Sequence, residues 1–309
     1  MINADSVKAR LKNEAVMSGR LFQELLVAYC LERTIYRISI SKYNEFFTLK
    51  GGIFLYAMLE GNFARATRDI DLLANSLNNE IETMRVTFED IFTINSDDAI
   101  IYDLNSLVIN PITEFKEYQG INVSIPAMLD RTKIPVSVDI GFGDIIHPDR
   151  VLMDFPVLLD MEVPHIYGYS LASVIAEKFE SIVSLGYVNS RYKDLYDIVV
   201  LIRNFDFDGA EVSEALKETF NHRGTAFDDI VAFEAGFSDD YTRVSRWNAF
   251  VKKKRAMMKE EFIEVVEEMK NFLEPIVQHL LTDKPFEGKW DAGGKKWSKH
   301  LEKRIVPDS

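Results

Sequence analysis

The sequence predicts an α+β protein in which a mixed-sheet domain is followed by a helical domain. Two observations carry this prediction. Between about residues 105 and 142, apolar residues alternate with polar ones, as in strands with one buried face. From about residue 170 onward, apolar residues recur at helical spacing, and helices precede the strands as well. This mixed order favours an α+β sheet over a regular run of βαβ units.

The N-terminal third alternates between helical and strand patterns. Residues 5–36 are predicted to form two helices, because apolar residues from Leu21 to Tyr29 recur at helical spacing. A short aromatic strand at 46–50 ends at Gly51-Gly52, and a helix follows at 53–60. The segment 69–73 is predicted to be a strand that places Asp69 and Asp71 on one face.

The remaining elements divide the chain into domains. Strands are predicted at 122–126 and 133–142, and helices at 170–185, 191–203, 210–220 and 259–281. Pro164 and Gly168 mark a boundary, so we expect a sheet domain over 1–165 and a helical domain over 166–285 that completes a cleft. Residues 286–309 contain glycines and many charges and are expected to be a flexible tail.

Composition limits the class of protein. The 309 residues are 47% hydrophobic and 28% charged, which suits a globular core, and the single cysteine, Cys30, excludes an intramolecular disulfide. No apolar run reaches membrane-spanning length, so we expect a cytoplasmic protein with no membrane partner. The net charge of −13 argues against binding of nucleic acid over the whole surface.

Two basic clusters could still form a local patch. They are Lys252, Lys253, Lys254 and Arg255, and then Lys295, Lys296, Lys299, Lys303 and Arg304. The simpler interpretation is a solvated helix face and a loose tail.

The residues with chemical potential are a glycine pair and three aspartates. Asp69 and Asp71 would lie roughly 7 Å apart on one strand face, and Asp139 would join them from a neighbouring strand. Such carboxylates suit a pair of Mg²⁺ ions, with Mn²⁺ as the alternative, that neutralise a leaving pyrophosphate. Gly51 and Gly52 would let the backbone and the next helix N-terminus approach a triphosphate.

Each feature also has a structural interpretation. Alternating carboxylates occur on exposed edge strands, and a glycine pair often forms only a turn. Lys178 falls on the apolar stripe of its helix and needs a carboxylate or phosphate partner, unless its stem reaches solvent. Asp194 could pair with Arg191, and Lys193 with Asp197, at helical spacing.

Taken in order, these features resemble a known family. The sequence is similar to the AbiEii-type nucleotidyltransferases, toxins of bacterial abortive-infection and toxin–antitoxin systems in the DNA polymerase β-like superfamily. The resemblance covers roughly residues 20–205. Its motifs are Leu49-Lys50-Gly51-Gly52 with Arg65-Ala66-Thr67-Arg68-Asp69-Ile70-Asp71-Leu72, then Val138-Asp139-Ile140-Gly141, Ala176-Glu177-Lys178-Phe179, and Arg191-Tyr192-Lys193-Asp194-Leu195-Tyr196-Asp197-Ile198. Ile53 departs from the pattern, since many relatives carry Ser or Thr there.

The resemblance implies roles for individual residues. Asp69, Asp71 and Asp139 would be metal ligands, and Asp194 a further catalytic residue. Lys178 would be both catalytic and a nucleotide contact. The other implied nucleotide contacts are Lys50, Gly51, Gly52 and Arg68.

The resemblance also implies an activity and partners. The chain would transfer a nucleoside monophosphate from an NTP, with GTP or CTP as candidates, to an RNA acceptor such as the 3′ end of tRNA. A cognate antitoxin would be a partner, and phage defence the setting. Two alternatives remain open: a small-molecule or protein acceptor, and a non-catalytic module that binds nucleotide or antitoxin.

Overall fold

The protein is described here by a computed structural model that covers residues 2–62, 67–112, 120–228, 230–234, 236–254 and 260–299. The chain divides into two compact units. The first is Met1–Asp144 with Arg150–Tyr169, and the second is Ile145–Asp149 with Ser170–Ser309. Every helix in the described part of the chain is too short or too polar to cross a membrane.

The helices of the first unit precede its strands or alternate with them along the chain. They are α1 (Ala4–Ser18), α2 (Phe22–Ile40), α3 (Gly51–Met58) and α4 (Ile81–Thr93). Helix α1 begins where the Asn3 side chain accepts the Ser6 amide at 2.8 Å, and it ends at Gly19 in the left-handed conformation. Helix α4 has no counterpart among the predicted elements, and α3 begins two residues before its predicted start.

The strands of the first unit form one mixed sheet. They are β1 (Phe47–Lys50), β2 (Ile70–Ala74), β3 (Ile100–Tyr102), β4 (Val108–Ile112), β5 (Gly120–Leu129), β6 (Thr132–Phe142), β7 (Val151–Asp154) and β8 (His165–Gly168). Their order is β3-β5-β6-β2-β1-β8-β7, with β4 paired to β5. Strand β2 runs parallel to β6 and antiparallel to β1. The mixed sheet confirms the predicted fold class.

One face of the central strands is apolar. Ile70, Leu72, Val138 and Ile140 are each at most 1% exposed, and helix α2 packs against β6 and β8. Because side chains alternate along a strand, this burial turns the intervening residues to the opposite face. The apolar pattern therefore decides which side of the sheet carries the polar residues.

The second unit is mainly helical. Its helices are α5 (Leu171–Leu185), α6 (Tyr192–Asn204), α7 (Gly209–Arg223), α8 (Tyr241–Lys254) and α9 (Phe262–Leu281). The Ser170 hydroxyl caps α5 by accepting the Ser173 amide at 3.1 Å. The Ser170 and Ser173 hydroxyls also donate to the His147 carbonyl, at 2.9 and 3.0 Å. These bonds hold the segment Ile145–Asp149 within this unit.

Residues 288–299, which were expected to belong to a flexible tail, instead contain two strands. Strands β10 (Gly288–Asp291) and β11 (Lys296–Lys299) pair with each other, and β10 also pairs with β9 (Phe207–Asp208). Trp290 is 2% exposed, and its indole nitrogen donates to the Ile202 carbonyl at 2.6 Å. Burial of this aromatic ring outweighs the local glycines and charges. Lys303 and Arg304 lie outside the described residues.

Candidate functional site

A row of polar residues crosses four neighbouring strands of the first unit. Lys50 on β1 pairs with Asp71 on β2, Asp71 with Asp139 on β6, and Asp139 with Asn122 on β5. Residues in register on adjacent strands lie about 5 Å apart and project from the same face. The sheet thus places two carboxylates side by side, with a cation at one end of the row and an amide at the other.

Gly51 allows the backbone of β1 to approach Asp71 very closely. Its φ is +66°, and a Cβ atom there would lie 1.9 Å from Asp71 Oδ2. No L side chain fits in that space, and the left-handed backbone is itself costly for other residues. Helix α3 begins at Gly51, so its first amides lie next to the Asp71 carboxylate. Gly52 is buried in the same turn.

Asp139 is held by its neighbour on β5. Asn122 Nδ2 donates to Asp139 Oδ1 at 2.6 Å and lies 2.7 Å from Ser137 Oγ. Both Asn122 and Asp139 are half-buried. The amide orients the carboxylate and leaves its oxygens as acceptors on the polar face of the sheet.

Lys50 is positioned by two residues that the sequence analysis did not identify. Its ammonium donates to Asp144 Oδ2 at 2.7 Å and to the Tyr169 hydroxyl at 3.3 Å. It also lies 5.1 Å from the centre of the Tyr169 ring. A sequence signal for Asp144 existed, because it follows the end of β6 after a single residue, Gly143, which has a φ of +83°. Tyr169 carried no such signal.

The remaining predicted residues of this unit lie at the entrance to β2. Asp69 is half-buried just before the strand, and Arg68 is exposed. Among the residues that the structure describes, no three His, Cys, Asp or Glu side chains are gathered to hold a metal ion. The structure therefore brings Asp71 and Asp139 together but leaves Asp69 outside a three-ligand cluster. Arg65 and Ala66 of the same motif lie outside the described ranges.

The donor set nevertheless fits a hard divalent cation. Asp71 and Asp139 offer carboxylate oxygens from paired positions of one sheet face, and Gly51 leaves no side chain beside Asp71. Carboxylate oxygens are the protein ligands that Mg²⁺ accepts, and substrate phosphates and water supply the others. Asp69, two residues before Asp71 and just before β2 begins, is the nearest further carboxylate in the sequence.

In the second unit, Lys178 on α5 contacts two carboxylates of α6. Its ammonium lies 2.7 Å from Asp197 Oδ2 and 3.2 Å from Asp194 Oδ1. Asp194 is 4% exposed and Asp197 is fully buried. The other oxygen of Asp194, Oδ2, is buried with no hydrogen-bond partner among the described atoms. The anionic partners that Lys178 requires are thus carboxylates, and one carboxylate oxygen remains available as an acceptor.

The two basic clusters differ in their surroundings. Lys252 and Lys253 are exposed on α8, whereas Lys295 is 3.2 Å from Glu268. Lys296 is exposed on β11. The structure does not describe Arg255 or the side chains of Lys254 and Lys299. On the described surface, Lys252, Lys253, Lys295 and Lys296 are all exposed.

Residues 33–292 match the sequence model of the family described as "Nucleotidyl transferase AbiEii toxin, Type IV TA system". A comparison with curated proteins finds no significant match.

Two solved structures are similar in chain path. One is a Helicobacter pylori protein assigned as a nucleotidyltransferase, with 15% identity and a TM-score of 0.48 over 83% of this chain and 96% of that one. The other is JHP933 from Helicobacter pylori, with 15% identity and a TM-score of 0.47 over 82% of this chain and 91% of that one.

Proposed function

Because this chain belongs to the AbiEii family of nucleotidyltransferase toxins of type IV toxin–antitoxin systems, we propose that it transfers a nucleoside monophosphate from an NTP to an RNA 3′ hydroxyl. The observation that carries the proposal is the polar row of β1, β2, β6 and β5, with Asp71 packed against Gly51. A structural sheet face has no need of a glycine that fits a carboxylate this tightly.

The reaction class determines what the site must do. The acceptor oxygen forms a bond to the α-phosphorus, and the bond from that phosphorus to the bridging oxygen of the β-phosphate breaks. Pyrophosphate leaves with the bridging oxygen, and the acceptor hydroxyl loses its proton. The site must therefore orient the two reacting groups and counter negative charge on the leaving group.

Asp71 and Asp139, joined by Asp69, would hold the divalent cations. Bound Mg²⁺ would supply charge neutralisation for the phosphates and lower the pKa of the attacking hydroxyl. Asn122 contributes by fixing the orientation of the Asp139 carboxylate. The amides of the first turn of α3 favour an anion near Gly51 and Gly52.

Lys50 supplies positive charge at the end of the row. Because Asp144 and Tyr169 hold its ammonium, it is pre-oriented before any phosphate arrives. Arg68, exposed before β2, is the second cation that we assign to the phosphates. Lys50 pairs with Asp71 across the sheet, and Arg68 directly precedes Asp69. Cations beside the proposed metal ligands would counter the negative charge on the leaving group.

The second unit contributes Lys178 and Asp194 to the proposal. Lys178 would contact the triphosphate, and Asp194 Oδ2, which has no hydrogen-bond partner among the described atoms, would accept a hydrogen bond from substrate. The choice of RNA as acceptor rests on the family and on the exposed Lys252 and Lys253. Since the whole chain is acidic, a local basic group is needed to bind a phosphate backbone.

A labelling experiment tests this function. The protein is incubated with each α-³²P-labelled NTP, Mg²⁺ and total cellular RNA, and labelled RNA is separated on a gel. Asp71→Asn and Asp139→Asn should abolish labelling, because each removes a proposed metal ligand. Their melting temperatures should stay level or rise, because carboxylate repulsion is relieved.

Asp130→Asn is the matched control. Asp130 is an exposed aspartate between β5 and β6, and its left-handed backbone suits asparagine equally well. This variant should label RNA at the wild-type rate. Full activity in Asp71→Asn would exclude the metal assignment. Labelled small molecules or protein, without labelled RNA, would show that the acceptor is one of these and not RNA. Nucleotide binding without any product would indicate a non-catalytic module.

A further inference from the structure

The second unit contains a cavity that the proposed reaction does not use. It has a volume of about 340 Å³ and lies between the turn Gly186–Val188 and the first turns of α6 and α8. This volume falls in the range of small-molecule binding pockets. None of its lining residues belongs to the residues assigned above.

Flat aromatic and guanidinium groups form the walls. Tyr187, Tyr192 and Phe237 line the cavity. The Arg243 guanidinium lies 4.2 Å from the centre of the Phe237 ring, and it donates to the Tyr187 carbonyl at 2.9 Å. Planar groups of this kind stack favourably on nucleobases and accept any base, because every base has a π face.

Two polar groups in this wall are buried and lack a well-formed hydrogen bond among the described atoms. Asn189 is 6% exposed, and its Nδ2 has no hydrogen-bond partner among the described atoms, while its Oδ1 accepts the Arg191 amide at 2.7 Å. Tyr192 is 7% exposed, and no described atom completes a well-formed hydrogen bond with its hydroxyl, although Arg246 lies beside it. A ligand with polar edges would offset the cost of leaving such groups without hydrogen bonds.

The charges at the cavity are nearly balanced. Glu234 accepts a hydrogen bond from the Tyr187 hydroxyl, and Asp240 accepts the Arg243 amide at 2.8 Å at the start of α8. These two carboxylates offset Arg243 and Arg246. A triphosphate requires a clear excess of positive charge. The balance instead suits a base with a single phosphate, and Arg246, which is exposed and lies beside the Tyr192 hydroxyl, is the cation accessible to that phosphate.

We propose that this cavity binds a nucleobase together with its attached phosphate, an inference that rests on the proposed function because it supplies that reaction with a second nucleotide site. Asn189 Nδ2 and the Tyr192 hydroxyl donate to base acceptors, the aromatic walls stack on the ring, and Arg246 contacts the phosphate. Tyr192 and Asp194 share the first turn of α6, so the base lies on the helix that carries a proposed catalytic residue. The nucleotide is either free or the end of an RNA strand.

Binding measurements test the cavity without requiring transfer. Asp71→Asn protein is titrated with AMP, GMP, CMP and UMP, with the matching nucleosides, and with a short single-stranded RNA, by calorimetry. Asn189→Asp keeps the shape and the acceptor for Arg191 but removes the amide donor, so base binding should weaken roughly tenfold. Arg246→Ala should weaken nucleotide or RNA binding by a similar factor and leave any nucleoside binding unchanged.

Matched controls and mapping complete the experiment. Asn248→Asp, on the exposed part of α8, and Arg85→Ala, on α4, should bind like the parent protein. An azido-nucleotide and an RNA with a 3′-terminal 4-thiouridine are cross-linked separately, and labelled peptides should include residues 187–192 or 236–246. Labelling by the free nucleotide or by the RNA identifies the source, and either supports the proposal.

Two outcomes overturn the inference. One is unchanged binding in both Asn189→Asp and Arg246→Ala while their melting temperatures match the parent. The other is cross-linking confined to peptides outside the cavity. These failures are distinct from failure of the proposed function: wild-type protein that labels RNA while the cavity variants bind normally refutes only the cavity. A protein that transfers nothing but binds nucleotide through Asn189 and Arg246 refutes only the reaction.

Discussion

Gly51 is the residue on which the candidate site depends most directly. Its backbone is left-handed, and it has no side chain. Asp71 Oδ2 therefore lies only 1.9 Å from the position that a Cβ atom of residue 51 would occupy. The sequence showed a glycine pair and an Asp-x-Asp segment, but not that these two features meet. The antiparallel pairing of Lys50 with Asp71 brings them together.

Replacing Gly51 with alanine should lower transfer roughly a hundredfold, because the new methyl group displaces the Asp71 carboxylate. Gly19→Ala is the matched control: Gly19 has a φ of +69°, and a Cβ atom there would meet no other atom within 4 Å. Both variants should lose about 1 kcal/mol of stability from the backbone alone. Labelling assays and thermal unfolding separate the two effects, and equal activity in both variants would contradict the contact.

Lys178 has a structural role as well as its proposed catalytic one. Lys178→Ala removes the ammonium that contacts Asp194 and Asp197, and we expect the free energy of unfolding to fall by about 3 kcal/mol. The Michaelis constant for NTP should also rise if the ammonium contacts phosphate. Denaturant titration and initial rates measure the two quantities.

The double variant Lys178→Ala with Asp197→Asn distinguishes these roles. Neutralising the fully buried Asp197 should restore part of the lost stability, because the buried carboxylate charge that the ammonium contacted is removed. It should not restore NTP affinity. A double variant that recovers both would show that Lys178 acts only as an ion-pair partner within the fold.

At the scale of elements, helix α2 shows how an apolar pattern can contain buried charge. Glu32, Arg33 and Arg37 are at most 2% exposed within this otherwise apolar helix. Arg37 donates to both oxygens of Asp98, at 2.5 and 3.0 Å, and the Leu158 amide donates to Glu32 at 2.6 Å. Distant segments thus supply hydrogen bonds to Arg37 and Glu32, which reduce the cost of burying their charges.

Burial raises the pKa of Glu32 from its ordinary value of 4.5 to about 7, against the opposing effect of Arg33. Between these values the unfolded chain ionises and the folded protein keeps its proton. The contribution of Glu32 is therefore present below the unfolded pKa and is lost as pH rises through the folded pKa. The loss amounts to about 3 kcal/mol in the free energy of unfolding.

Glu32→Gln should remove this pH dependence, since glutamine does not titrate and can still accept the Leu158 amide. Urea unfolding at about pH 5 and about pH 8 gives the difference in stability for wild type and variant. The difference should shrink in Glu32→Gln. An unchanged difference would show that another group carries the pH dependence.

At the scale of the whole molecule, the proposed residues are divided between two compact units. Lys50, Asp71 and Asp139 belong to the first unit, whereas Lys178 and Asp194 belong to the second. Strand β8 closes the first unit in sequence and pairs in parallel with β1, through Thr48 with Tyr167 and Leu49 with Gly168. A fragment that ends before β8 loses this pairing.

Two fragments test the division. Residues 1–169 retain β8, whereas residues 1–165 lack most of it, so the longer fragment should melt at a higher temperature. Neither should transfer nucleotide, because both lack Lys178 and Asp194. Circular dichroism and the labelling assay measure these properties. Transfer by the longer fragment at the wild-type rate would remove the second unit from the reaction.

The fold class and the family could be predicted from the amino-acid sequence alone. These depend on local signals: period-two alternation turns Asp71 and Asp139 away from a buried face, and short motifs keep their spacing along the chain. The family match confirms the resemblance that those motifs indicated.

Only the tertiary structure showed the partners of Lys50 and Lys178, the strands of the supposed tail and the cavity beside Asn189. The Lys50 contact joins residues 94 positions apart, and the buried Trp290 contact joins residues 88 positions apart. No local periodicity encodes such pairs. They form because folding brings distant segments together, and a buried polar group without a hydrogen-bond partner costs free energy.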